Sequence, residues 1–88
     1  MREEELIEEG FQRIDVLIEE SGDKTDYYFY NLNLNDDVVL TSSTNEDSAI
    51  KNWVVYLNND HIVIKNIEDL QTLIALVKKF TKHNIYVQ

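Results

Sequence analysis

The sequence predicts an α+β fold: an antiparallel meander of about five strands with an N-terminal helix and a C-terminal helix packed on the sheet, in the order α-β-β-β-β-β-α. Apolar residues recur at helical spacing near the C-terminus, short β-branched and aromatic runs fill the middle, and polar turn residues separate those runs. With 88 residues, no proline and two glycines, the chain has room for one core, so residues 1–88 are expected to form a single small acidic domain.

The first twenty residues fit two interpretations. Their apolar positions suit one continuous helix: Ile7, Phe11, Ile14 and Ile18. Gly10 would cost such a helix about 1 kcal/mol, however, and the same residues also suit a shorter helix followed by a strand. We prefer a helix over 2–9 that stops at Gly10 and a strand over 11–19 that buries Ile14, Val16 and Ile18.

An aromatic strand is predicted over 27–34. Its alternation places one set of side chains on a single face, namely Tyr28, Tyr30, Leu32 and Leu34. Tyr27 and Phe29 then lie on the opposite face. Either another segment covers that second face, or these two rings are exposed as anchors for a partner.

Turn residues and short apolar runs define the rest of the meander. We expect hairpin loops or turns at 21–25, 35–37 and 58–60, strands at 38–41, 53–57 and 61–65, and a surface loop at 42–48. Trp53 is in phase with Val55 and Leu57, which favours a place in the core. A hairpin loop at 21–25 would set the strand over 11–19 antiparallel to the aromatic strand.

The C-terminal helix is predicted over 67–82. Asn66 occupies the position of an N-cap, acids follow in the first turn, and lysines lie in the last turns, as the helix dipole favours. Asn84 is expected to end the helix, and 85–87 to add a short strand.

Net charge is the extreme quantity in this composition, at −9. Residues 1–47 hold fourteen acids and three bases, whereas residues 48–88 hold three acids and five bases. Direct binding to nucleic acid or to an anionic membrane therefore starts with the wrong sign, and a basic protein surface would be attracted instead. No run approaches the roughly 20 apolar residues of a membrane span, and a cytoplasmic location is expected.

No catalytic, cofactor-binding or metal-binding site is expected. The chain has no cysteine and no glycine-rich phosphate loop, and its two histidines, His61 and His83, are far apart in sequence. Pairs of acids one helical turn apart, such as Glu4 and Glu8, are more typical of a solvated helix face than of a cation site.

The first functional hypothesis is a small, non-enzymatic, acidic protein-interaction module that binds a basic partner surface, for example that of a nucleic-acid-binding protein. A compact acidic domain can occupy a Lys/Arg channel as a mimic of nucleic acid. In composition alone it is similar to phage and mobile-element inhibitors, anti-CRISPR proteins among them, although no motif aligns. The residues expected to bind the partner are Glu4, Glu5, Glu8, Glu9, Asp26, Tyr27, Phe29, Asp36 and Asp37.

The alternative hypothesis is a homo-oligomeric accessory or structural protein. Its copies, a homodimer in the simplest case, would pair through the second apolar face of the sheet, and the acidic charge would keep the assembly in solution. The residues expected at that interface are Tyr27, Phe29, Val39, Val54 and Tyr56.

Overall fold

A computed structural model describes residues 1–21, 26–58 and 62–87. Its elements are α1 (Glu3–Glu8), β1 (Gln12–Val16), α2 (Ile18–Ser21), β2 (Tyr27–Asn33), β3 (Val39–Ser42), α3 (Asn45–Lys51), β4 (Val55–Leu57), β5 (Val63–Ile64) and α4 (Ile67–Val87). The five strands form one antiparallel sheet in the order β1-β2-β3-β4-β5. The predicted α+β meander between two helices is confirmed, with two short helices added.

A glycine turn ends α1, as predicted. Gly10 has a φ of 98°, in the left-handed region that favours glycine. Its amide donates to the Ile7 carbonyl, and the Phe11 amide donates to the Leu6 carbonyl, which is the pair of bonds of a Schellman motif. Leu6 and Phe11 both enter the core, so the motif joins the end of the helix to the start of the sheet.

The core lies on one face of the sheet, beneath α1 and α4. Its buried apolar members are Leu6, Phe11, Tyr30, Leu40, Val55, Ile64, Leu70 and Ile74. Hydrogen bonds join the two ends of α1 to α4 and to the residues just before it. The amino group of Met1 donates to the carbonyls of Trp53 and Lys65 just before α4, while the Gln71 amide donates to the Glu9 carboxylate at 2.8 Å. Trp53 packs against the cluster, as its phase predicted.

The orientation predicted for the first strand is wrong. Ile14 is 38% exposed, Ile18 lies in α2, and β1 ends at Val16 rather than at residue 19. Phe11 fills the core position at the start of the strand, so the pleat then turns Ile14 and Val16 to the face opposite α1 and α4. Arg13 lies on the other face, the core side of the sheet, and its guanidinium is 3.7 Å from the centre of the Tyr28 ring.

The polar stretch 42–48 is not a loop, and this prediction is also wrong. Ser42 ends β3, and α3 begins after Thr44, whose Oγ1 accepts from the Asp47 amide at 3.2 Å. The Ser42 hydroxyl oxygen accepts from the Tyr30 amide, and the Asn45 side chain accepts from the Tyr28 amide, each at 2.8 Å. These polar side chains therefore satisfy amides of β2 beyond the point where β3 leaves it.

The C-terminal helix is longer than predicted. Asn66 caps it, since its Oδ1 accepts from the Asp69 amide at 2.9 Å, but the helix continues past Asn84 to Val87. The expected strand over 85–87 is helix instead. A strand needs a neighbouring strand for its backbone hydrogen bonds, whereas an extending helix supplies its own.

The predicted turn at 35–37 is confirmed, and the one predicted at 58–60 is described only at its first residue. The Asn35 side chain accepts from the amides of Asp37 and Val38, and Asn58 takes a positive φ of 52° after β4. Most of the loop predicted at 21–25 and most of the turn predicted at 58–60 lie outside the described residues, which omit 22–25 and 59–61.

Truncation of the central core leucine should cost much of the stability. Leu40 is fully buried on β3, so Leu40→Ala should lower the free energy of unfolding by about 2–5 kcal/mol, measured by urea titration. Leu76→Ala, at a helix position that is 45% exposed, is the matched control and should cost less than about 1 kcal/mol. Equal losses in the two variants would contradict the assigned core.

Loss of the Thr44 cap should destabilise α3 through one named hydrogen bond. Thr44→Ala should lower the free energy of unfolding by about 1 kcal/mol, whereas Thr44→Ser keeps the hydroxyl and should lose only a fraction of that. Urea titration of both variants checks this, and a Ser variant as unstable as the Ala variant would argue against the cap.

Candidate functional site: the open sheet face

The face of the sheet opposite α1 and α4 carries no charged side chain in any of the five strands. We call it the open sheet face. The pairing register assigns its members, which are Gln12, Ile14, Val16, Tyr27, Phe29, Asn31, Asn33, Val39, Thr41, Tyr56 and Val63. In a chain that is 28% charged, an uncharged surface across a whole sheet is the most distinctive feature of the described residues.

Apolar and aromatic side chains dominate the open sheet face. Phe29 pairs with Ile14, and Tyr56 pairs with Val63, which is 40% exposed. Tyr27 and Phe29 are half-buried and outside the core cluster, as their predicted phase required. Large apolar side chains that a monomer leaves in water over a contiguous face are typical of a recognition surface.

The polar members of the open sheet face are bonded to one another. Thr41 donates to the Asn31 oxygen at 3.1 Å, and the Asn31 amide donates to Asn33 at 3.2 Å. Their hydrogen bonds would therefore survive if another molecule covered them, which lowers the cost of removing water from this part of the face.

Acids lie at both ends of β2, beside the open sheet face. Asp26 precedes the strand, and its carboxylate accepts from the Ile18 amide at the start of α2. Asp36 and Asp37 are exposed in the turn after the strand, where neither carboxylate forms an ion pair with another described residue. The structure thus places Asp26 next to Tyr27, whereas Asp36 and Asp37 lie at the opposite end of the strand from Tyr27.

A groove of about 550 Å³ borders the open sheet face at the end where α3 lies. Lys51 and Lys65 line it together with Asp47, Val54 and Tyr56, among others. Lys65 continues the phase of Val63 beyond β5, and neither lysine forms an ion pair within the described chain. This end therefore carries both signs of charge, whereas the described residues of the β2–β3 turn carry only negative charge.

The predicted acids of α1 lie on a different surface. Glu4 and Glu8 are exposed one turn apart on the helix, with no hydrogen bond or ion pair to another described residue. Glu5 accepts from the Arg2 amide at 2.8 Å within its own helix, and Glu9 binds Gln71 of α4. The structure does not bring these four acids together with Tyr27 and Phe29, because the sheet separates them.

Beneath the helices, Tyr28, Tyr30 and Trp53 form an aromatic cluster. The rings of Tyr30 and Trp53 meet edge to face with centroids 5.4 Å apart, and the Tyr30 hydroxyl donates to the Glu3 carboxylate at 2.6 Å. Burial and this bond raise the pKa of Tyr30 to about 12. A shifted pKa can mark a functional site. Here the phenol is closed in by packing, and the bond fastens α1 to the sheet.

The described residues offer no obvious metal centre or membrane span. They contain no group of three or more histidine, aspartate or glutamate side chains that could hold a metal ion, and none of their helices is long and apolar enough to cross a membrane. The side chains of His61 and His83 lie outside the described part of the chain. Searches against protein-family models, curated proteins and solved structures return no match to this chain.

Sequence reasoning found Tyr27, Phe29, Val39 and Tyr56 on this face but missed Ile14, Val63 and the two groove lysines. The available signal was the absence of charge at alternate positions of every strand. That signal depends on the phase of β1, whose Ile14 and Val16 are predicted to be buried but lie on the open sheet face.

Stability should fall in alkaline solution because of Tyr30. Below about pH 10 both the folded and the unfolded chain hold the phenol proton, and between about pH 10 and 12 the unfolded chain releases it first. The unfolded state then binds fewer protons, so the free energy of unfolding falls as the pH rises. Urea titrations across this range, together with tyrosinate absorbance, measure the fall.

Tyr30→Phe should remove the Tyr30 part of that pH dependence while costing about 1–3 kcal/mol at neutral pH through the lost bond to Glu3. Tyr56→Phe, at a tyrosine of the open sheet face, is the matched control and should leave the dependence in place. An equally steep alkaline fall in Tyr30→Phe would contradict the assignment.

Proposed function

We propose that this protein is a non-enzymatic interaction module that binds a basic surface of another protein through the outer side of its helix layer. The helix layer is α1 together with the adjoining part of α4, residues 67–74. The observation that supports the proposal is the sorting of charge between the two sides of the molecule. The helix layer holds six acids and no base, and Glu9 adds a seventh acid directly after α1, while the strand positions of the open sheet face hold no charge.

The geometry of the acids suits attraction to a cationic surface. Glu4, Glu8 and Glu68 are exposed and form no ion pair with a described residue, so their charge is available to a partner. The only ion pair that involves this layer among the described residues joins Glu5 to Arg2 at 3.7 Å, and the Arg2 side chain is exposed whereas that of Glu5 is only partly so. Clustered charge of one sign raises the rate of association with an oppositely charged surface, and salt screens that attraction.

The class of partner that we propose is a nucleic-acid-binding protein with a Lys/Arg channel. Such a channel is built to receive closely spaced negative charge, and a compact acidic domain can occupy it in place of phosphates. The proposed activity of the protein is therefore inhibition of such a partner in the cytoplasm by mimicry of nucleic acid, as in phage-encoded inhibitors of the anti-CRISPR kind. The support for this class is the sign and clustering of the charge.

Reversal of two exposed acids should abolish most of the binding. The assay is inhibition of duplex cleavage by a panel of purified nucleases with Lys/Arg-lined channels. For any nuclease that the wild-type chain inhibits, Glu4→Lys/Glu8→Lys should weaken the apparent affinity by about tenfold or more. An increase from about 50 to about 200 mM salt should weaken the wild-type chain similarly.

The matched control is Glu19→Lys/Asp36→Lys, which makes the same change in net charge at two exposed residues outside the helix layer. It should retain affinity within about threefold, since screening limits its influence on the distant helix layer. The proposal fails if no nuclease of the panel is inhibited, if inhibition is insensitive to salt, or if both variants lose affinity equally.

A further inference from the structure

The open sheet face needs a cover that is itself uncharged. It presents seven apolar or aromatic side chains across five strands, and α1 and α4 pack on the opposite side of the sheet. A basic partner would gain nothing from a face without charge. A second copy of this chain, with a net charge of −9, would be repelled at the helix layer but would meet no like charge within the open sheet face.

We propose that two copies of this chain dock through their open sheet faces, stacked so that the groove end of each copy covers the β2–β3 turn of the other. Two sheets would then form a sandwich with about 10 Å between them and the helix layers outside. The interface is isologous, because each copy contributes the same face. The helix layer stays free, so this proposal does not rest on the proposed binding of a basic partner.

The charges at the groove end and at the β2–β3 turn favour this stacking over the alternative in which like ends meet. With the two-fold axis across the strands, Asp36 and Asp37 of each copy lie towards Lys51 and Lys65 of the other. With the axis along the strands, the two turns would meet and bring four aspartates together. Like charges in contact across an interface are strongly unfavourable, so the first arrangement is preferred.

The size of the face predicts a reversible dimer. The strands hold twenty-one residues, and each covers about 16 Å² of sheet plane, so the planar area is roughly 330 Å² per copy. Side-chain relief and the bordering groove enlarge it, which brings the total near the ~1,000 Å² lower limit for a specific interface. Dimerisation should therefore depend on concentration.

The first test is the mass of the full chain in solution by sedimentation equilibrium across a concentration series. The wild-type chain should approach the dimer mass with rising concentration. Phe29→Lys, which places a charge at the centre of the face, should remain monomeric and folded. Phe80→Lys, at an exposed phenylalanine of α4, is the matched control and should dimerise like the wild type.

The second test is a charge swap. Asp36→Lys/Asp37→Lys and Lys51→Glu/Lys65→Glu should each weaken self-association by about tenfold or more, because each homodimer then faces like charges. An equimolar mixture of the two variants should form a heterodimer about as readily as the wild type forms its homodimer, since each end again meets the opposite charge.

Three results would overturn the proposal. A wild-type chain that stays monomeric to about 1 mM would assign the open sheet face to an unlike partner. A dimer that survives Phe29→Lys but is lost in Phe80→Lys would place the interface on α4. If each charge-swap variant dimerises by itself, and the equimolar mixture of the two dimerises no more tightly than either variant, the stacking is ruled out. Circular dichroism of each variant verifies that it is folded.

Discussion

The structure depends on the strict alternation of side chains along β2. Tyr28, Tyr30 and Leu32 point to the core, while Tyr27 and Phe29 point away from it. The antiparallel register extends these two faces to all the remaining strands, because residues directly opposite each other share a face. A slip of one residue would bury Asn31 and expose Tyr30, so the hydrophobic pattern of this single strand sets the two sides of the whole sheet.

α1 and α4 both cover the core side of that sheet. α1 contributes Leu6, and α4 contributes Leu70 and Ile74, to the same side. The bond of Tyr30 to Glu3 and the Schellman motif at Gly10 fasten α1 to that side as well. The open sheet face is the consequence, and its apolar character without charge distinguishes it from an ordinary solvated face of an antiparallel sheet.

Charge follows the same division. The acids that dominate the first half of the sequence lie mainly on the helix layer or in turns, and the strands carry charge chiefly at Arg13 and Asp15, which pair with each other at 2.9 Å on the helix side. The molecule therefore has one side suited to a cationic partner and one suited to an uncharged surface. The sequence suggests a single acidic patch with aromatic anchors, but the sheet separates the acids of α1 from Tyr27 and Phe29.

Local patterns were sufficient for the elements with strong periodicity or strong stop signals. The helical spacing before Phe80, the alternation from Tyr28 to Leu34 and the glycine after α1 each predicted an element correctly, because their information lies within a few neighbouring residues. The capping pattern from Thr44 to Asp47 is also local: Thr44 is an N-cap with acids in the following turn, a pattern typical of a helix start rather than of the predicted loop.

The sequence by itself thus determined the fold class, the order of the elements and the core face of β2. Tertiary structure alone decided the phase of β1, because Phe11 takes the core position after Gly10 and forces Ile14 outward. It also decided the separation of the α1 acids from Tyr27 and Phe29. Which residues share a surface depends on strand register and on the side from which each helix packs, and both are set by contacts between residues distant in the chain.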